Sequence, residues 1–187
     1  MATLREWLED KRAEGPGKLP ALLLVAAGLG LLGWLGLQVF GSRTPSVVGK
    51  NLTALRLRDA DGRTRSLGEL GGKVVVVDFW ATWCPPCRMS LPELAALQAR
   101  QGTDYAVVPV SLDRGGFGDI TPFFKANPSL AVAAEVPDDP GRLAKDVGKI
   151  EAIPTTLVLD RRGKVIKAWV GYSSGRLEAE LKEALAR

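Results

Sequence analysis

The stretch Val74-Val75-Val76-Val77-Asp78-Phe79-Trp80-Ala81-Thr82-Trp83-Cys84-Pro85-Pro86-Cys87-Arg88 runs from four consecutive valines into the only two cysteines of the chain. The unbroken apolar run predicts a strand buried on both faces. The Cys-Pro-Pro-Cys after it predicts the first turn of a helix, because proline is at home at the first helical position. Two residues of spacing bring both sulfurs close enough to bond. A helix N-terminus offers unpaired N–H groups and a partial positive charge, and both stabilise a thiolate. Cys84 is then the nucleophile, and the more buried Cys87 resolves the mixed disulfide.

Other uses of two cysteines fit less well. A structural disulfide across so short a loop removes little unfolded-state entropy. A zinc site takes about four ligands, whereas this chain has two Cys and no His, so no metal site is expected. A c-type haem site takes His directly after the second Cys, and that residue is Arg88. Zero histidine also removes Ser-His-Asp and Cys-His catalysis. No cofactor is expected beyond the redox-active Cys84–Cys87 disulfide itself.

The 187 residues allow one globular domain plus an appendage. The net charge of +4 is spread without a basic run interleaved with aromatics, so nucleic-acid binding is not indicated. Residues 1–18 read as a polar tail in which Leu4, Trp7, Leu8 and Lys11 fall at helical spacing. Leu19–Phe40 is an uncharged run of 22 residues, long enough as a helix to cross the roughly 30 Å of a bilayer core. Residues 19–41 are therefore expected to form one transmembrane anchor. A cleaved signal peptide is the rival, with a shorter apolar core and a small-x-small cleavage site, which Val39-Phe40-Gly41-Ser42 does not supply. Lys and Arg are evenly split across the run, so charge does not orient it.

Residues 42–50 read as a linker and 51–187 as the folded domain. Leu52–Leu57 and Thr64–Leu67, around an Asp-Gly turn, predict a hairpin. Lys73–Trp80, Asp104–Leu112, Leu130–Val136, Thr155–Asp160 and Lys164–Val170 read as strands. Pro85–Gln101 (kinked at Pro92), Phe117–Asn127, Gly141–Val147 and Ser174–Arg187 read as helices. Such alternation implies an α/β domain with a mostly parallel centre and an antiparallel edge.

Val77–Arg88 resembles the active-site signature of the thioredoxin superfamily, and Ile153-Pro154-Thr155 is similar to its cis-proline loop. Pro92 is similar to the proline that kinks the active-site helix. Within the superfamily the chain resembles the membrane-anchored TlpA, ResA and CcmG reductases, TlpA most of all. Asp61–Leu67 resembles their N-terminal extension. The 66 residues between Cys87 and Pro154 suit their central insertion, and Val110–Gly116 resembles the TlpA type. The resemblance covers roughly residues 47–187. It implies a thioredoxin fold with an N-terminal β-hairpin extension and a central insertion, preceded by one transmembrane helix. ResA-type proteins carry an acid three positions after the second cysteine, where this chain has Ser90, and many lack the acid that stands here as Asp78. CcmG-type proteins carry Glu after the cis-proline, where this chain has Thr155.

Asp78, flanked by Val77 and Phe79, is expected to be a buried base for Cys87. Trp83, Pro85, Pro86, Ile153 and Pro154 are the expected substrate-binding residues, with Trp80 in the core. The Pro-Pro pair removes two N–H donors near the sulfurs, which favours a reductant over a strong oxidant. The resemblance implies protein disulfides as substrates, among them apocytochrome c or copper-site cysteines. It also implies an electron donor of the CcdA or DsbD type, and a domain on the periplasmic or outer side of the cytoplasmic membrane. A disulfide oxidase or isomerase shares every catalytic residue. A Sco-type metallochaperone uses CxxxC and a histidine, a peroxiredoxin a Thr-x-x-Cys pocket, and a plain binding module no dithiol.

Overall fold

A computed structural model describes residues 46–187. Its elements in order are β1 (Arg56–Arg58), β2 (Thr64–Ser66), β3 (Val74–Trp80), α1 (Pro85–Ala99), β4 (Tyr105–Ser111), α2 (Phe117–Ala126), β5 (Val136–Pro137), α3 (Pro140–Asp146), β6 (Thr155–Leu159), β7 (Val165–Val170) and α4 (Arg176–Leu185). The expected tail and transmembrane segment lie outside the described residues, among which no helix is long and apolar enough to cross a membrane.

The main sheet has the order β4-β3-β6-β7. Only β3 and β4 run parallel, while β3–β6 and β6–β7 are antiparallel. The expected mostly parallel centre is thus corrected to a single parallel pair. All seven residues of β3 are buried, because the strand has a neighbour on each side and packed layers on both faces. Val74, Val76 and Trp80 join one apolar cluster with Leu91 and Leu94 of α1 and with Leu177 and Leu181 of α4. Val75, Val77 and Phe79 join the other, with Leu55, Leu57, Val108, Leu157 and Leu159. This split follows the period-two alternation of a strand. Pro109 lies within β4 at the sheet edge, where a missing N–H is tolerated.

The expected hairpin forms, with Leu57 opposite Arg65. Asp59 Oδ1 accepts from the N–H groups of Asp61 and Arg63, and Gly62 takes φ +79° to close the turn. β1 also pairs with β5, making a second, three-stranded sheet.

The strand expected at Leu130–Val136 is corrected to Val136–Pro137 alone. Pro128–Leu130 is a 3-10 turn. Ala133 is bonded to a side chain instead of a strand: its N–H donates to Gln98 Oε1 at 2.7 Å, and Gln98 Nε2 donates to its carbonyl at 3.1 Å. The expected linker is folded where it is described. Val47 is buried, and Gly49 N–H and Lys50 carbonyl both pair with the backbone of Val165.

Candidate active site

Cys84 is the N-cap of α1, with Pro85 and Pro86 as its first two helical residues. Of the first three helical residues only Cys87 carries an N–H, and it donates to Cys84 Sγ at 3.2 Å. The two sulfurs are joined in a disulfide. Cys84 keeps a sliver of exposure at 3%, whereas Cys87 has none. The outer sulfur is therefore the one a partner can reach, and the inner one can act only on its neighbour.

Ile153–Pro154 is a cis peptide bond, and the Ile153 carbonyl oxygen lies 3.7 Å from Cys84 Sγ. Pro154 is buried and Ile153 half-buried. The Pro154 carbonyl accepts from Gly171 N–H at 2.7 Å, which ties the loop to the end of β7. Pro85 and Pro86 are exposed, and Trp83 is 65% exposed beside Cys84. Those residues form an outer rim around the sulfur. Trp80 is fully buried and packs against Phe123 and Phe124.

Asp78 lies at the middle of the sheet rather than ending an edge strand. By strand alternation it shares the face of Val76 and Trp80, which is the face under α1 and the dithiol. It is 1% exposed. Burial without a charged partner raises its pKa from 3.8 to about 7, against the lowering effect of the Thr156 hydrogen bond. Thr156 sits opposite Asp78 in β6 and donates to Oδ1 at 2.6 Å. A carboxyl group poised near neutrality can both accept and return a proton, as thiol exchange in either direction requires.

The pairing of Asp113 with Thr82 was not singled out from the sequence. Asp113 is buried and accepts from Thr82 N–H at 2.9 Å, Thr82 Oγ1 at 2.7 Å and Ser111 Oγ at 2.8 Å. Arg88 Nε donates to the Thr82 carbonyl at 2.9 Å, and its guanidinium lies over Phe123. Thr82 is thereby held from two sides just ahead of Trp83 and Cys84. Asp113 lies 31 residues from Thr82, so no local pattern links them. Ser90, at the position where ResA-type proteins carry an acid, donates to the Cys87 carbonyl at 2.8 Å.

A redox-active cysteine pair at the N-terminus of a helix, faced by a cis-proline loop and backed by a buried acid, defines a thiol–disulfide oxidoreductase of thioredoxin fold. The chain belongs to the Redoxin family, whose model matches residues 41–185. It is 31% identical over 180 residues to the thiol:disulfide interchange protein DsbE homolog of Paracoccus denitrificans, covering 91% of this chain and 96% of that protein. It is 25% identical over 182 residues to the thiol-disulfide oxidoreductase ResA of Halalkalibacterium halodurans, covering 94% and 97%. Among solved structures it is similar to a thiol:disulfide interchange protein of Chlorobium tepidum. That match has a TM-score of 0.60 and 26% identity, covering 73% of this chain and 97% of the other.

Proposed function

We propose that the protein is a membrane-anchored, extracytoplasmic reductase of protein disulfides. One observation carries the direction of electron flow: Pro85 and Pro86 occupy the first two helical positions, leaving the Cys87 N–H as the donor to Cys84 Sγ. A thiolate with few donors is less stabilised, so the dithiol gives up its electrons more readily. In the reaction, Cys84 thiolate attacks a partner disulfide, a bond forms between Cys84 Sγ and one partner sulfur, and the other leaves as thiolate. Cys87 passes its proton to Asp78 and attacks Cys84 Sγ. The mixed disulfide breaks, the second partner thiolate leaves, and two electrons have moved to the partner. Trp83, Pro85, Pro86 and the Ile153–Pro154 loop serve as the docking rim. The Leu19–Phe40 run supports the anchor, and the persistence of disulfides outside the cytoplasm supports the location. Apocytochrome c and copper-site cysteines suit such a reductase as substrates, with recharging by a CcdA- or DsbD-type membrane donor.

The test is the Cys84–Cys87 reduction potential of the full chain in glutathione and dithiothreitol buffers. A value near about −270 mV, as in thioredoxin, is expected, and one near about −120 mV, as in a strong oxidase, would overturn the direction. Cys87→Ser is expected to accumulate the mixed disulfide with a protein substrate, whereas Cys84→Ser should form none.

A further inference from the structure

Beside Asp78 lies a small cavity of about 20 Å³, lined among others by Ser90, Glu93, Pro154, Thr156 and Tyr172. That is room for a single water molecule. Two carboxylate oxygens buried here have no hydrogen-bond partner among the described residues: Asp78 Oδ2 and Glu93 Oε1. A buried oxygen without a partner is destabilising, and two of them meet at this cavity. Cys87, Ser90 and Glu93 succeed one another at i, i+3 spacing on one face of α1. Ser90 and Glu93, the next two residues on that face after Cys87, line the cavity together with Asp78. Glu93 as a whole is half-buried, so it reaches from this space toward solvent.

We propose that Glu93 is a positioning residue for the thiol exchange: it holds one cavity water against Asp78 Oδ2 and passes protons between Asp78 and solvent. This rests on the reductase reading above. After Cys87 has given its proton to Asp78 and closed the disulfide, Asp78 is left as a buried neutral acid. Its proton moves to the water, and the water gives one to the Glu93 carboxylate, which releases it outside. Asp78 is again a carboxylate for the next cycle, with no electrons moved in this step. In the reverse direction the same path refills Asp78 before it protonates Cys87.

The titratable groups facing this space are Asp78 from β3, Glu93 from α1 and Tyr172 from the loop before α4. Arg176 of α4 lies over the Trp169 ring at 4.8 Å. Glu180 of α4 is paired with Lys167 and Arg176.

The experiment compares the full chain with Glu93→Gln and Glu93→Asp. Asp78 is titrated by infrared spectroscopy, its band identified by loss in Asp78→Asn. Oxidation of the reduced protein by glutathione disulfide is followed by tryptophan fluorescence across neutral pH. In Glu93→Gln the Asp78 midpoint is expected to move about one pH unit toward acid, because a neighbouring negative charge is gone. Oxidation is expected to slow roughly tenfold, since proton transfer limits the resolving step. Glu93→Asp, which keeps the charge one methylene further back, should fall between the two. A Glu93→Gln protein with parental midpoint and pH–rate profile would overturn the relay and leave the reductase reading intact. A parent that does not react with glutathione disulfide would instead overturn that reading, while the Asp78 midpoints still decide whether Glu93 is coupled to it.

Discussion

The two faces of β3 are built from the same run of residues and do opposite work. Val75, Val77 and Phe79 enter a cluster formed with the hairpin region, β4 and β6, and are apolar throughout. Val74, Val76 and Trp80 enter the cluster under α1, and between them stands Asp78. The first face gains the full transfer free energy of its side chains, roughly 25 cal/mol per Å² of apolar surface. The second gives part of that gain away by burying a carboxyl group whose only side-chain partner among the described residues is a threonine hydroxyl. One face stabilises the fold, and the other holds a carboxyl group whose pKa burial raises.

The contrast is most directly broken by Asp78→Asn. The folded protein holds the Asp78 proton up to about pH 7, and the unfolded chain only up to its ordinary 3.8. Between those values the native state binds more protons, so stability falls as pH rises through the window. The full difference corresponds to about 4 kcal/mol. Asp78→Asn is therefore expected to exceed the parent by up to about 4 kcal/mol well above pH 7 and to gain nothing below about pH 4. Urea unfolding of the oxidised proteins at both extremes reads this, and an equal gain at each would break the contrast. Its thiol exchange should slow at least about 100-fold, as expected on losing an acid–base group.

On the opposite face, Leu157 is fully buried across from Val77. Leu157→Ala is expected to lose about 3 kcal/mol with the Asp78 titration and the pH profile of exchange unmoved. A shifted profile in that variant would show that the faces are not separable. The smallest stability effect is expected at the rim. Trp83→Ala should change stability by less than about 0.5 kcal/mol, because the ring is mostly exposed. It should raise KM for a protein disulfide while leaving the rate with dithiothreitol alone, and an equal effect on both would remove Trp83 from the docking surface.

Much of this molecule was legible along the chain because its signals are local. The valine run, the Cys-Pro-Pro-Cys turn, the Asp-Gly hairpin and the Ile-Pro-Thr loop each lie within a few residues, and each constrains its own backbone by burial, proline or glycine. The burial of Asp78 followed from its apolar flanks. The 130–136 segment did not follow, because its apolar pattern carries no record of Gln98 supplying the hydrogen bonds a strand would need. Nor did the direction of pairing, since a valine run is buried equally well between parallel and antiparallel neighbours.

A thioredoxin-type domain with a redox pair of Cys84 outside and Cys87 inside is readable along the chain, because helix-start chemistry and strand burial are written in adjacent residues. That Thr156 bonds Asp78, that Asp113 holds Thr82 and that Glu93 shares a cavity with Asp78 emerges from folding alone. Those partners are brought together by sheet register and helix packing across up to 78 residues, and a side chain's hydrogen bonds are set by what folds against it rather than by its neighbours in the chain.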